Sequence, residues 1–100
     1  MKLADLKRIP VGTKLLLVHC LMGPVEADKQ PRTVREVRSN ALLMDKPGTE
    51  RPSWLYFPKA AYFRDDGDGF AVLEDHPKNA GEKIVGAQYK FAPKNEEKIG

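Results

Sequence analysis

The chain has 100 residues, of which 41% are apolar and 31% charged, and a formal net charge of +3. That length holds one domain, since a smaller unit would bury too little apolar surface to fold alone, and that composition excludes a disordered chain. The single cysteine, Cys20, excludes an internal disulfide and a cysteine-rich zinc site, and no apolar run reaches a membrane span or a signal-peptide core.

The charge is unevenly spread. Residues 1–40 carry eight Lys/Arg against four Asp/Glu, whereas residues 64–75 carry Arg64 against Asp65, Asp66, Asp68, Glu74 and Asp75. A basic first half beside an acidic patch points to an anionic partner or to a polarised, soluble surface.

Leu3 and Leu6 fall on one side of a helical turn over residues 3–8, which Pro10 and Gly12 bring to an end. Residues 14–22 read as the first strand. Leu15, Leu17, His19 and Leu21 alternate with Leu16, Val18, Cys20 and Met22, so apolar residues fall on both faces. One face meets the core, and the other calls for the N-terminal turn, the C-terminal segment or a second subunit. A polar loop follows from Gly23 to Pro31.

Residues 32–38 read as the second strand, with Arg32, Arg35 and Arg38 along it. Val34 and Val37 are three apart, so both reach the core only if a β-bulge lies near Arg35-Glu36. Asn40 tolerates a positive φ, and a tight hairpin at Arg38-Ser39-Asn40 leads into a third strand, Ala41-Leu42-Leu43-Met44. After a turn-rich connector, residues 53–57 form the fourth strand inside the stretch 52–63, which holds five of the eight aromatic residues and the only tryptophan. Here Trp54 and Tyr56 oppose Leu55 and Phe57, and one pair must face the core. Pro58 ends the pairing or marks an edge. Tyr62-Phe63-Arg64, the Asp65-Asp66-Gly67-Asp68-Gly69 turn and Phe70-Ala71-Val72-Leu73 make a hairpin. A last strand over 84–91 places Val85, Ala87, Tyr89 and Phe91 on one face, and residues 93–100 form a charged tail.

Short strands, tight turns and little helix describe a single mainly β domain over 1–92. The expectation is a small SH3-like (Tudor-like) barrel of five to six strands, with an OB-fold-like barrel as the alternative.

Catalytic and metal chemistries find little support. His19 and Cys20 are strand neighbours on opposite faces and cannot form a nucleophile–base pair. The acidic turn has its glycine in the wrong place for a calcium loop. There is no phosphate-cradling glycine loop and no nucleophile elbow. The expectation is a protein that is not an enzyme, with no cofactor and no evident small-molecule substrate. Surface recognition remains. If Leu55 and Phe57 face the core, Trp54 and Tyr56 form an exposed platform bordered by Arg32, Arg35, Arg38, Arg51 and Lys59. Rings and guanidinium groups together suit bases and phosphates, and they equally suit a protein interface.

The run from Arg32-Thr33-Val34 to Ser39-Asn40-Ala41, then Ser53-Trp54-Leu55-Tyr56-Phe57-Pro58-Lys59-Ala60 and Asp66-Gly67-Asp68-Gly69-Phe70, resembles small proteins carried by bacteriophages, prophages and plasmids. The resemblance covers residues 9–74 and implies a bacterial or phage accessory protein of the cytoplasm. It transfers no functional residue. The reading is a small binding module that engages a protein partner or itself. A nucleic-acid module is the alternative, and a net charge of +3 with an acidic turn makes it the lesser one.

Overall fold

The computed structural model describes residues 2–23, 31–45 and 51–92. The polar loop expected after Gly23, most of the connector before Pro52 and the charged tail lie outside the described residues.

The N-terminal turn is a 3₁₀ helix, η1 (Leu3–Arg8). The backbone N–H of Lys2 donates to Asp5 Oδ2 at 2.9 Å, which holds the first turn. The helix exists to deliver Leu6, which is wholly buried, with Leu3 packed beside the core. Gly12 then turns the chain at a φ of 96°, a conformation that costs a side-chain-bearing residue.

Seven strands follow: β1 (Lys14–Cys20), β2 (Pro31–Val37), β3 (Ala41–Met44), β4 (Ser53–Tyr56), β5 (Phe63–Asp65), β6 (Gly69–Asp75) and β7 (Lys83–Phe91). A second 3₁₀ turn, η2 (Ala60–Tyr62), separates β4 from β5. The strands form one antiparallel sheet in the order β4-β3-β2-β1-β7-β6-β5.

The expected barrel of five to six strands is corrected on two counts. Each extended segment expected above forms a strand, which makes seven among the described residues, and the sheet stays open. Seven also exceed the five strands of an OB-fold. Closure would need a ladder between β4 and β5. Pro58 has no N–H to donate, and the link through η2 separates the two strands. The two ends are joined by rings instead. Phe57, just past β4, lies 5.3 Å edge-on from Phe63 of β5 and 6.0 Å from Phe70 of β6, and Phe63 stacks on Phe70 at 5.7 Å. The sheet therefore curls about one core, in which Leu6, Leu15, Val34, Leu42, Phe57 and Phe70 are fully buried.

Register shifts decide which residues reach that core. The bulge anticipated near Arg35 is present, because pairing slips between Val34 and Glu36. Val34 is buried as a result, and Val37 packs on the core with it. Two further shifts were not legible. One between Leu17 and His19 turns Cys20 onto the core side opposite Ala87, which corrects its placement beside Leu16 and Val18. Another between Val72 and Leu73 sets Val85 against Leu73, away from the face shared by Ala87, Tyr89 and Phe91. Asn40 has no positive φ, contrary to expectation. The β2–β3 turn is closed by the Arg38 N–H donating to the Ala41 carbonyl at 2.8 Å.

No described helix is long and apolar enough to cross a membrane.

Candidate functional site

The three strands β2, β3 and β4 present one face to the core and one outward. Leu42 and Met44 of β3 are buried, and Leu55 of β4 packs against the core. Phe57 continues that inward row. Alternation then sends Ala41 and Leu43 of β3 outward together with Trp54 and Tyr56 of β4. The register sets Leu43 opposite Trp54 and Ala41 opposite Tyr56. Of the two arrangements open to residues 53–57, the chain adopts the one with Leu55 and Phe57 inside. Trp54 keeps 45% and Tyr56 57% of its surface exposed.

Arg38 leans over this face from the β2–β3 turn. Its guanidinium carbon lies 4.6 Å from the centre of the Trp54 ring, and its Nε donates to Glu36 Oε2 at 2.8 Å. Asn40 ties the far side down. Its carbonyl accepts from the Phe57 N–H at 2.8 Å, and its Nδ2 donates to the Phe57 carbonyl at 3.3 Å. Because Ala41 is small, an open depression of about 340 Å³ remains, lined by Arg38, Asn40, Ala41, Trp54 and Tyr56.

The other basic candidates are dispersed. Arg35, the extra residue of the bulge, donates through Nε to both Asp45 oxygens at 2.9 Å. Those bonds hold its guanidinium more firmly protonated than usual and occupy its charge. Arg32 shares its side of β2 with Val34, opposite Leu15, and so points to the core face; it is half-buried, and its Nε has no hydrogen-bond partner. Its charge acts instead on Tyr89, whose hydroxyl burial pushes upward in pKa. Arg51 is exposed just before Pro52, and Lys59 is exposed just after Pro58. Lys59 also lies within the field of Asp75. The basic strand of the sequence reading is thus corrected. Arg38, Trp54 and Tyr56 come together, Arg51 and Lys59 bracket them along the chain, Arg35 is committed to Asp45, and Arg32 faces the other way.

Asn40 and Ala41 were missed as lining residues. Both follow once the β3–β4 register is known, because they lie opposite Phe57 and Tyr56, but no motif announces that register.

The remaining polar clusters have structural work. In the acidic turn, Gly67 adopts a φ of 82° and its N–H donates to Asp65 Oδ1 at 3.1 Å. Arg64 and Gln88 both donate to Asp66, and Lys90 pairs with Asp68 at 3.2 Å. His76 Nδ1 accepts the backbone N–H groups of Lys78 and Asn79, each at 3.0 Å, and so shapes the β6–β7 turn. Among the described residues, no three His, Cys, Asp or Glu side chains are grouped to hold a metal ion.

No protein-family model matches the chain, and no curated protein or solved structure matches it.

Proposed function

We propose that the chain is a non-enzymatic binding module that captures a protein partner on the outer face of β3 and β4. The fold that carries it is a curled, half-open variant of a small SH3-like barrel. The observation behind the reading is the pair Trp54 and Tyr56, exposed side by side with Arg38 on the indole. Trp, Tyr and Arg are the residue types that most often anchor protein interfaces: the two rings cover a large area at modest entropic cost, and the guanidinium adds a planar charge that stacks and donates. The rigid sheet beneath holds both rings in place before any partner arrives, which lowers the cost of binding. The resemblance to phage and plasmid proteins fits an accessory role in a bacterial cytoplasm.

A nucleic-acid partner is favoured less. Such a surface needs cations available to phosphates. Arg35 is already paired with Asp45, Arg38 with Glu36, and Arg32 lies on the core side.

Trp54 is the only tryptophan, so its emission reports on this face alone. The test is a titration with single-stranded oligonucleotides at low and at physiological salt, beside selection of binders from a random-peptide library. Peptide binders that shift Trp54 emission, with no oligonucleotide response at physiological salt, are expected. A tight oligonucleotide complex that weakens steeply with salt would replace this reading by the nucleic-acid one.

A further inference from the structure

Residues 76–82 join β6 to β7, and one side chain organises that turn. Pro77 brings no N–H and biases His76 toward extended backbone, so the first donors of the turn are the N–H groups of Lys78 and Asn79. Both donate to His76 Nδ1, each at 3.0 Å. Two donors meeting one ring nitrogen require a lone pair there. Nδ1 is therefore bare, and the proton of the neutral imidazole sits on Nε2. Asn79 passes the constraint on. Its carbonyl accepts from the Glu82 N–H at 3.2 Å, and its Nδ2 donates to Glu82 Oε1 at 3.0 Å. The Glu82 carbonyl in turn accepts from the His76 N–H at 2.9 Å, just beyond the Asp75–Lys83 pair that ends the ladder.

The acceptor in such a turn is ordinarily a Ser, Thr, Asp or Asn oxygen, which takes backbone N–H groups two or three residues on. Those oxygens accept throughout the range of about pH 5 to 8, whereas an imidazole changes its charge within it. Once protonated, the ring has two donors and no acceptor. The Lys78 and Asn79 N–H groups would then face a third N–H. The flanking carboxylates are already engaged. Asp75 is held by Tyr62 and Lys83, Glu82 is held by Asn79, and the Glu74 side chain lies against Gly86. Lys78 in the turn, Lys83 at its base and Lys59, whose field reaches Asp75, carry charge of the same sign as a protonated ring.

We propose that the β6–β7 turn is a pH-sensitive latch, closed while the His76 ring is neutral and opened when Nδ1 takes a proton. An imidazole ordinarily does so near about pH 6.5, so the turn is closed above that range and opens as pH falls through it. Opening releases residues 77–81 and leaves the β6–β7 ladder in place from the Asp75–Lys83 pair inward.

The test is NMR on the full chain between about pH 8 and about pH 5, a window in which carboxylates ordinarily stay ionised. The His76 ring nitrogens report protonation, and amide protection relative to an unstructured chain reports the turn. Nδ1 should be bare at the upper end. Protection of the Lys78 and Asn79 amides should fall about fivefold or more as the ring takes its second proton, while β6 and β7 keep theirs. His19, exposed on β1, is the only other histidine, and His19→Gln should leave the transition unchanged. His76→Asn supplies an oxygen that does not titrate, so its turn should stay closed at both ends of the range. His76→Ala removes the acceptor, and its turn should be open at both. A proton on Nδ1 at the upper end, or Lys78 and Asn79 amides indifferent to the ring's titration, would overturn the latch. So would a His76→Asn turn that opens in acid as the wild type does, since the response would then belong to other groups.

Discussion

At the scale of single residues, the Tyr62–Asp75–Lys83 group shows how surface charge is organised and what it should do with pH. The Tyr62 hydroxyl donates to both Asp75 oxygens at 3.0 and 3.1 Å, and Lys83 Nζ sits 3.2 Å from Asp75 Oδ1 and 4.8 Å from the Tyr62 ring centre. The Tyr62 bond, with help from Lys83, holds the Asp75 carboxyl below its ordinary value, and the same bond pushes the Tyr62 hydroxyl above its own. A lowered acid stabilises the fold above about pH 4 and loses that contribution as pH falls through its folded value. A raised phenol does the reverse: its contribution is whole below about pH 10 and is lost as pH climbs through the raised value. Tyr62→Phe should therefore melt slightly below the wild type near neutral pH and converge with it in strong acid. Parallel melting curves down to acid would show that the pair carries no folding free energy. Two glycines give a sharper contrast. A Cβ on Gly69 would run into the Tyr89 carbonyl oxygen and the Lys90 backbone, which cannot move without breaking β6 from β7, whereas the atoms nearest to one on Gly86 belong to the Glu74 side chain. Gly69→Ala is expected to cost at least about 2 kcal/mol in urea denaturation, and Gly86→Ala less than about 1. Equal losses would mean that Glu74 is as fixed as the backbone.

At the scale of elements, β4 decides whether the chain has a working face. With its ring 45% exposed, Trp54 should emit at long wavelength, be quenched readily by iodide and stay so on dilution. A blue-shifted signal that persists at low concentration would put the indole in the core and remove the binding face. Arg38→Ala should cost only about 0.5–1 kcal/mol of stability, the range for a cation over an exposed ring. It should also leave Trp54 more accessible to iodide. The strands themselves were legible because alternation and proline placement are local. The β2 bulge was legible too, since Val34 and Val37 cannot share a face without it. The bulges at Leu17/His19 and Val72/Leu73 left no such trace, because apolar residues lie on both sides of the slip and either register looks satisfactory. The choice between Trp54 and Phe57 for the core was equally hidden. Both offer large rings, and the choice turns on Phe63 and Phe70, which the fold alone brings near.

At the scale of the whole molecule, the open sheet raises the question of what keeps it curled. No described ladder joins β4 to β5, so the two ends meet only through side chains. Phe57 is central to that contact: it is fully buried and touches Phe63 and Phe70 edge-on, while Phe70 goes on to stack with Tyr89 at 5.6 Å. Truncation at Phe57 should then differ from truncation elsewhere in the core. Phe57→Ala is expected to cost about 3–5 kcal/mol, a large part of the ~5–15 kcal/mol that holds a domain of this size together. Phe57→Leu keeps most of the apolar volume and loses the ring contacts, so about 1–1.5 kcal/mol is expected. The distinguishing readout is amide exchange in the leucine variant. If the rings hold the curl, protection should fall in β3, β4 and β5 together while the central β1–β7 pairing keeps its own. A uniform fall across all seven strands would mean that Phe57 is ordinary core and that the curl is set by the three bulges. In that case the Trp54–Tyr56 face would be held by the backbone alone, and Phe57 variants should bind peptide as the wild type does for as long as they stay folded.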